Sequence, residues 1–417
     1  MRKIYSRAIL GALIGGGLAV VGAGMAHAAE TSGTDGLLSG DQAIVSVDLP
    51  ITVGGNAVSI IGDSHSEDAS TSAPASEPAP EATTDGGDGI GSGNQGLVSV
   101  DVPVTVGGNA VSVIGDSHSE DASTSAPAEE AASAPAGDVE TDGTDSVGGG
   151  NQVVAPVEVP VTVGGNAISV IGDSHTEGAD TTGGSTSGGH TGDVDTDGTD
   201  SLLGGNQALL PISVPVTVGG NAISVIGDSH TEGADTTGGS TSGGHTGDID
   251  TNGGDSLLGG NQLITPVSLP ITIGGNAVSG IGDSTTEGAT TTGGTSGGLL
   301  GDITTDGGDS LLGGNQLITP ISLPITIGGN AVSVIGDSTT VGSETGTPGT
   351  PGTPGTSVVT GSVASVSSVS AMAPMASGDR ALAATGVETG VAWGLLNVAL
   401  IMLGLGGAVI ARRRATA

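Results

Sequence analysis

Apolar and polar residues alternate along six similar stretches of the chain. In the last of them, residues 321–327 carry Ile or Leu at every odd position and Ser, Pro or Thr at every even position. A period of two is typical of a half-buried β-strand. A Gly-Gly-Asn triplet follows at 328–330, and then a shorter arm with Val332 and Val334 on one side. Because glycine and asparagine tolerate a positive φ, this order predicts a β-hairpin with one apolar face and one Ser/Thr/Pro face.

This unit occurs six times, and the spacers between the copies vary in length. The asparagine of the triplet recurs at spacings of 53, 57, 55, 55 and 54 residues, a period that identifies a repeat architecture. The six units are residues 37–66, 90–119, 147–176, 202–231, 257–286 and 311–340. The predicted hairpin-turn residues are Gly55, Asn56, Gly108, Asn109, Gly165, Asn166, Gly220, Asn221, Gly275, Asn276, Gly329 and Asn330.

A two-stranded hairpin is marginally stable in water on its own. Its apolar face therefore has to be covered by another repeat, another molecule or an interface, because a wet Val, Leu or Ile gains little of the ~1.5–3 kcal/mol available on burial. The spacers are rich in Gly, Thr, Ser, Asp and Glu, a composition typical of flexible linkers. The predicted fold class is all-β, with six short β-hairpins joined by flexible, largely disordered acidic linkers.

The N-terminus has the composition of a secretory signal peptide. Three basic residues lie within the first seven, and an apolar stretch runs from residue 8 to residue 25. Ala26 and Ala28 then place small residues at the two positions that a signal peptidase recognises. Residues 1–28 are therefore predicted to form a signal helix that is cleaved after Ala28.

The C-terminus combines a short motif, an apolar stretch and a basic tail. The motif consists of Leu382, Ala383, Ala384, Thr385 and Gly386. The apolar stretch is close to the ~20 residues that cross a bilayer as a transmembrane helix, and the three arginines after it favour a cytoplasmic end. This order resembles a sortase sorting signal, and its LAxTG form is similar to the one used by class E sortases of high-GC actinobacteria.

The resemblance to a sorting signal implies transient membrane anchoring, followed by cleavage between Thr385 and Gly386 and transfer of Thr385 to an amine of the peptidoglycan precursor. Residues 382–417 form this predicted signal. Residues 343–381, which are rich in Pro, Gly, Thr and Ser, are predicted to be a wall-spanning stalk.

Removal of both ends leaves a strongly acidic chain. Six of the seven basic residues lie in the removed ends, so Arg380 remains, and Glu388 is the one acidic residue removed, so 43 of 44 stay. Such a charge repels nucleic acid and anionic membranes and attracts divalent cations. The chain has no cysteine and no phenylalanine, which excludes a disulfide framework and disfavours one large globular core.

The repeat sequence is similar to a known surface-protein domain. Residues 211–227 read PISVPVTVGGNAISVIG, and a Gly-Asn pair at 205–206 precedes them. This resembles the chaplin domain, the hydrophobic repeat of aerial-hypha coat proteins in filamentous actinobacteria, whose pattern is VPVxVPVNVCGNxVxVIG after a Gly-Asn pair. The resemblance implies surface display, amyloid-like β assembly with itself or with other chaplin-like proteins, and action at an air–water interface. Long chaplins also carry more than one domain and a LAxTG signal.

Two features depart from the chaplin pattern. After the Ile-Gly pair, chaplins continue with an apolar segment toward a second cysteine, whereas this chain becomes polar, as at 228–232. The position of the first chaplin cysteine is occupied by glycine in every copy, namely Gly54, Gly107, Gly164, Gly219, Gly274 and Gly328. The disulfide of the family is therefore lost, and the implied assembly properties are weakened, whereas surface display is unaffected.

One acidic motif is similar to the first half of a calcium loop. Asp193, Asp195 and Asp197 alternate before Gly198, but Gly204 stands where such a loop carries its bidentate glutamate. A solvated acidic spacer is the favoured interpretation, and weak calcium binding is the alternative. No other cofactor is predicted.

A recurring Asp-Ser-His motif invites a catalytic interpretation. A catalytic triad needs a rigid pocket that excludes water, which a Gly-flanked exit from a hairpin does not provide. The histidine is also replaced by Thr285 and Thr339 in the last two repeats; the four copies that keep it are His65, His118, His175 and His230. Metal binding by His190 and His245, each in a Gly-Gly-His triplet, is set aside as well. No enzymatic activity is predicted.

Together these features predict a secreted, peptidoglycan-anchored, non-enzymatic protein of the cell surface. In one hypothesis it is a structural coat protein whose amphipathic β repeats associate into a surface layer. The alternative is a wall-anchored adhesin or spacer that displays its repeats to a ligand or to other cells. The predicted partners are a class E-like sortase, peptidoglycan, and copies of itself or other chaplin-like proteins, with no nucleic acid among them.

Overall fold

The computed structural model describes residues 29–33, 35–73, 81–126, 138–186, 192–241, 247–296 and 302–346, together with the backbone of 357–361. These residues lie in the first of two compact units, Met1–Ser367, and the second unit is Ser368–Ala417. The predicted signal peptide, the sorting signal and most of the predicted stalk lie outside the described residues. Within them the structure is all-β, as predicted, and contains no helix long and apolar enough to span a membrane.

The strands of the described residues follow one another in six rungs. Rung 1 contains β1 (Ala29–Ser32), β2 (Gln42–Asp48), β3 (Ile51–Gly54), β4 (Ala57–Ile61), β5 (Ser64–Glu67) and β6 (Ser70–Ser72). Rung 2 contains β7 (Ala82–Asp85), β8 (Gln95–Asp101), β9 (Val104–Gly107), β10 (Ala110–Ile114), β11 (Ser117–Glu120) and β12 (Ser123–Ser125). Rung 3 contains β13 (Val139–Asp142), β14 (Gln152–Glu158), β15 (Val161–Gly164), β16 (Ala167–Ile171), β17 (Ser174–Glu177) and β18 (Asp180–Thr182).

In rungs 4 to 6 the second strand is divided in two. Rung 4 contains β19 (Val194–Asp197), β20 (Gln207–Leu209), β21 (Ile212–Ser213), β22 (Val216–Gly219), β23 (Ala222–Ile226), β24 (Ser229–Glu232) and β25 (Asp235–Thr237). Rung 5 contains β26 (Ile249–Asn252), β27 (Gln262–Ile264), β28 (Val267–Ser268), β29 (Ile271–Gly274), β30 (Ala277–Ile281), β31 (Ser284–Glu287) and β32 (Thr290–Thr292). Rung 6 contains β33 (Ile303–Gly307), β34 (Gln316–Ile318), β35 (Ile321–Ser322), β36 (Ile325–Gly328), β37 (Ala331–Ile335), β38 (Ser338–Val341) and β39 (Glu344–Gly346), and β40 (Ser357–Gly361) follows it.

Each strand pairs in parallel with the strand at the same position of the next rung, which builds six sheets. We number them by position in the rung: sheet 1 runs from β1 to β40, sheet 2 starts at β2, and sheets 3, 4, 5 and 6 start at β3, β4, β5 and β6. The register places equivalent repeat positions side by side, so that in sheet 4 Ile114 pairs with both Ile61 and Ile171. The described part of the chain is therefore a parallel β-solenoid with one repeat in each rung.

The predicted hairpins are wrong. β15 and β16 flank Gly165 and Asn166, but β15 pairs with β9 and β22 in sheet 3, and β16 pairs with β10 and β23 in sheet 4. Gly-Gly-Asn is thus a corner between two sheets rather than a hairpin turn. A period of two identifies the two faces of a strand but not its partner. Six copies of one sequence satisfy their backbone groups by stacking on one another.

The prediction of flexible linkers is also wrong for much of the spacer sequence. Sheets 5, 6 and 1 contain strands from the predicted spacers, such as β6 and β7 between the first two units. From the first residue in sheet 1 to the last in sheet 6, every rung has the same length; these spans are 29–72, 82–125, 139–182, 194–237, 249–292 and 303–346. Differences in repeat length therefore fall between sheet 6 and the next strand of sheet 1.

The rung is folded into two layers, one formed by sheets 2, 3 and 4 and the other by sheets 5, 6 and 1. Sheet 6 packs on sheet 3, where the Thr181 hydroxyl donates to the Gly164 carbonyl at 3.1 Å. Sheet 5 packs on sheet 4, where the Ser174 hydroxyl donates to the Ile223 carbonyl at 2.7 Å. Because short hydroxyl side chains reach the opposite backbone directly, this part of the interior has room for Gly, Ala, Ser and Thr but not for larger residues.

Larger apolar side chains are buried between sheets 1 and 2. There the inward residues of neighbouring rungs form one continuous cluster, to which Ile44 adds a partly buried side chain. The members of the cluster are Ala82, Leu97, Val139, Val154, Val194, Leu209, Ile249, Ile264, Ile303 and Ile318. One end of the rung is therefore a conventional apolar core, and the rest is filled by small residues.

Amide side chains link the rungs through three ladders, of which one is a partly buried column from Asn94 to Asn315 and the other two are buried in the interior. At the corner between sheets 3 and 4, the Oδ1 atom of Asn166 accepts the backbone amide of Asn221 at 3.1 Å and its side-chain amide at 2.8 Å. In sheet 2, the Gln207 side-chain amide donates to Oε1 of Gln152 at 2.9 Å, and the Thr196 hydroxyl donates to the same oxygen. These buried amides are satisfied when the rungs are in register, so the ladders oppose any slip of one rung against the next.

The glycine at the chaplin cysteine position has a steric cause in this fold. Gly164 ends β15 with its missing side chain directed inward, where an added Cβ would overlap the side chain of Thr124 in sheet 6. Gly219 has the same relation to Thr181. A cysteine does not fit at this position without moving the second layer, so the departure from the chaplin pattern follows from the close approach of the two layers.

We predict that Gly164→Ala destabilises the solenoid, because the new methyl group forces sheets 3 and 6 apart. Overpacking of this kind costs about 1–3 kcal/mol, which should appear as lower urea and thermal midpoints. Gly96→Ala in sheet 2 is the matched control, since its added Cβ has its nearest neighbour at 4.0 Å. Equal midpoints for the two variants would contradict the close packing of the layers.

Candidate interaction surfaces

The outer surface of sheets 2, 3 and 4 is apolar. Successive side chains of a strand point to opposite faces. Thr162 and Ser169 point inward and are 0% and 1% exposed, so their neighbours Val163 and Val170 point outward. The last two positions of each sheet 4 strand both face out, so Val170 and Ile171 are 41% and 47% exposed. We call the outward side chains of these three sheets the apolar face. The predicted two-faced strand is confirmed, and its apolar side lies on the outside.

The parallel register arranges the apolar face into columns of Val, Ile and Leu. One column of sheet 3 consists of Ile51, Val104, Val161, Val216, Ile271 and Ile325. One column of sheet 4 consists of Ile61, Ile114, Ile171, Ile226, Ile281 and Ile335. Contiguous exposed apolar surface of this kind marks an interaction site on a soluble protein.

The outer surface of sheets 5, 6 and 1 is polar and largely acidic, and we call it the polar face. In sheet 5 the outward positions carry one column of histidines, continued by threonine, and one column of glutamates. In sheet 1 the outward Glu140, Asp195 and Asp250 are direct neighbours. The described solenoid is therefore amphipathic, with its apolar and acidic surfaces on opposite layers.

The glycine and the asparagine at each corner have different structural roles. Gly165 has a φ of +60°, which favours glycine, and an added Cβ would also meet the side chain of Ala179. Asn166 is not left-handed; its side chain instead bonds to Asn109, Asn221 and the Gly164 carbonyl. The other predicted turn residues occupy the same corner of their own rungs. The asparagines thus hold neighbouring rungs together.

The acidic residues singled out as calcium candidates lie on a strand and its flank rather than in a loop. Val194 and Thr196 point inward, so Asp193, Asp195 and Asp197 alternate with them on the outer side. The Asp193 carboxylate accepts the backbone amide of Asp248 at 2.9 Å, and the Asp197 carboxylate accepts the amide of Thr199 at 2.9 Å. Two of the three carboxylates therefore accept hydrogen bonds from backbone amides. The extended strand also does not surround a central ion as a calcium loop does.

Stacking of acids in sheet 1 changes their proton affinity. Burial, and after it the carboxylates of Asp250, Asp193 and Glu140, raise the pKa of Asp195 to about 6. In sheet 6, burial raises the pKa of Asp180, with a further contribution from Asp235. The carboxylate of Asp195 therefore takes up a proton in mildly acidic solution.

The four histidines of the Asp-Ser-His motif form a single outward column in sheet 5. Their rings stack face to face, with centroid distances of 4.9, 4.7 and 4.9 Å from His65 to His230. Each ring lies beside the glutamate two residues further on, and Nε2 of His175 is 3.3 Å from Oε2 of Glu177. Burial lowers the pKa of His175, an effect that the hydrogen bond to Glu177 opposes. The column was not predicted, because it depends on parallel pairing between repeats.

Comparison with known proteins supports the resemblance found in the repeats. The family model described as ChpA-C matches residues 16–70, which include most of rung 1. Chaplin-B of Streptomyces coelicolor is 36% identical over 101 residues, and this match covers 19% of the chain and 43% of the relative. The chain thus spans less than half the length of this curated relative, and no solved structure matches the chain. The resemblance predicted from the repeats is confirmed, and over the matched part the chain is related to the chaplin family.

Proposed function

We propose that this chain is a non-enzymatic structural protein of the cell surface, attached covalently to peptidoglycan, whose solenoids associate through the apolar face into a coat layer. The apolar face is the observation that carries the proposal. Val, Leu and Ile side chains that stay exposed in the monomer gain free energy when they leave water, at about 25 cal/mol per Å² of apolar surface. A second solenoid, or an air–water boundary, removes them from water without any change of fold.

The polar face limits the direction of assembly. Acidic side chains on sheets 5, 6 and 1 repel one another and remain hydrated, so two solenoids meet through their apolar faces rather than their polar faces. The predicted outcome is a layer with an apolar interior and acidic outer surfaces. Similarity to Chaplin-B supports a surface role of this kind, and the sorting-signal resemblance at 382–386 supports attachment to the wall.

We predict that polar substitutions on the apolar face weaken association without unfolding the monomer. In the quadruple variant Val170→Thr, Ile171→Thr, Val225→Thr and Ile226→Thr, each new residue keeps the β-branch that suits a strand. We expect the midpoint concentration for association in sedimentation velocity to rise at least about tenfold, because four partly exposed apolar side chains lose their contribution.

The control for this variant is Thr182→Ser with Thr237→Ser, which changes two exposed residues on sheet 6 of the polar face. It should associate as the unchanged chain does. If the quadruple variant associates as strongly as the control while both remain folded by circular dichroism, the coat proposal fails and the adhesin or spacer hypothesis takes its place.

Protonation of Asp195 should stabilise the solenoid between about pH 6 and pH 4. Because its pKa is raised from 3.8 to about 6, this carboxyl binds more protons in the folded than in the unfolded chain in this window, and its contribution to the free energy of unfolding rises as the pH falls. His175, whose pKa is lowered by burial, contributes with the opposite sign, so substitution of Asp195 isolates the carboxyl. Asp195→Asn should raise the thermal midpoint at pH 7 and flatten its dependence on pH. Glu30→Gln, at the open end of the same column beside Thr83, is the control for loss of one charge. A midpoint for Asp195→Asn that follows the same pH curve as the unchanged chain would refute this assignment.

Wall attachment predicts a specific processing pattern. The unchanged protein should be released from cells by peptidoglycan hydrolases and should end at Thr385. Thr385→Ala should prevent the transfer and leave the chain extractable by detergent, still carrying its C-terminal arginines. Ala384→Ser, at the variable position of the LAxTG motif, should behave as the unchanged protein. Detergent release of the unchanged chain with its arginine tail would show that it is not covalently attached.

A further inference from the structure

The histidine column of sheet 5 brings potential metal ligands of two neighbouring rungs together. The imidazole rings of His118 and His175 are stacked, with their centroids 4.7 Å apart and an angle of 3° between their planes. The carboxylate of Glu177 lies beside His175 on the same outward side. One ligand atom from each of these three residues lies within 4.8 Å of the other two. Parallel pairing of β11 with β17 creates this juxtaposition, since the residues are distant in sequence.

We propose that His118, His175 and Glu177 bind a divalent transition-metal ion such as Zn²⁺, which bridges rungs 2 and 3. Zinc accepts imidazole nitrogens at about 2.0–2.1 Å and carboxylate oxygens at about 2.0–2.2 Å, commonly with three protein ligands and one water. Ligand atoms around one tetrahedral ion of this size are about 3.4 Å apart, so the three groups need to approach by up to about 1.5 Å. The two parallel imidazole rings also need to rotate until their nitrogen lone pairs point at the same ion.

The side chains have the freedom to make this approach. Those of His118 and His175 are 30% exposed and that of Glu177 is 49% exposed, so they lie at the surface of a rigid strand pair rather than in a packed core. Two nitrogen ligands and one oxygen ligand favour Zn²⁺, Cu²⁺ or Ni²⁺ over Ca²⁺ and Mg²⁺, which prefer all-oxygen sites. The proposed site is therefore distinct in kind from the acidic columns of sheet 1.

The chain itself supplies the control substitution. Thr285 pairs directly with His230 in sheet 5, and Thr339 pairs with Thr285, so threonine is compatible with this column. His118→Thr with His175→Thr therefore copies the residues of rungs 5 and 6 and should leave the solenoid folded. Glu177→Gln removes the charge of the third ligand and keeps its shape.

The test is titration of the untagged chain with ZnCl₂, followed by calorimetry and by the thermal midpoint. We expect saturable binding and a higher midpoint with zinc, because an ion that binds the folded state alone stabilises it. His118→Thr with His175→Thr should bind at least tenfold more weakly and lose the zinc-dependent shift, and Glu177→Gln should bind less tightly than the unchanged chain. A double substitution of His190 and His245 by Thr should bind as the unchanged chain does.

Electron paramagnetic resonance with Cu²⁺ gives an independent readout, since coupling to two imidazole nitrogens should be visible and should disappear in the His118→Thr, His175→Thr variant. Three results would overturn the proposal. These are no zinc uptake by the unchanged chain, unchanged uptake after loss of both histidines in a folded variant, or an equal thermal shift with CaCl₂, which would assign the effect to carboxylates alone.

Discussion

The interaction on which the structure depends is the stacking of identical amide side chains from one rung to the next. The Oδ1 atom of Asn166 accepts both the backbone and the side-chain amide of Asn221. In sheet 2, Oε1 of Gln152 accepts the side-chain amide of Gln207 and the hydroxyl of Thr196. A shift of one residue between neighbouring rungs separates these amides from their partners and turns inward side chains outward. Six copies of one sequence, each with the same span from sheet 1 to sheet 6, are what this arrangement requires.

The close approach of the two layers explains why the apolar residues of sheets 3 and 4 lie outside. The two layers approach so closely there that hydroxyls of one bond to the backbone of the other, and only small residues fit between them. Glycine at the position of the chaplin cysteine is part of the same packing. The larger Val and Ile of each strand are directed to solvent, where the register aligns them into columns. One solenoid thus carries an apolar surface and an acidic surface on opposite layers, and both are available for binding.

The sequence was sufficient to predict the all-β class, the six repeats, the two-faced strands and the chaplin resemblance. These features depend on composition and periodicity, which are properties of the local sequence. The partner of each strand could not be predicted, since a period of two is the same in a hairpin and in a parallel stack. One signal was present in the spacers: Asn166 is followed by Thr181 at a distance of 15 residues, and the same pair at the same distance occurs in every copy. A flexible linker does not require a constant distance. A threonine that points inward from a strand of sheet 6 does, because it has to meet the same position of sheet 3 in every rung. The histidine column could be recognised once the parallel register was known.

Measurement of the distance between equivalent residues of remote rungs tests the solenoid most directly, and the absence of cysteine makes specific labelling simple. Glu67 and Glu287 are exposed, and parallel pairing places them in one column of sheet 5, four rungs apart. With cysteine and a spin label at both positions, double electron–electron resonance should give one narrow distance of about 19 Å, because neighbouring strands are about 4.8 Å apart. A broad distribution extending well beyond that distance would contradict in-register stacking and would favour separate units on flexible linkers.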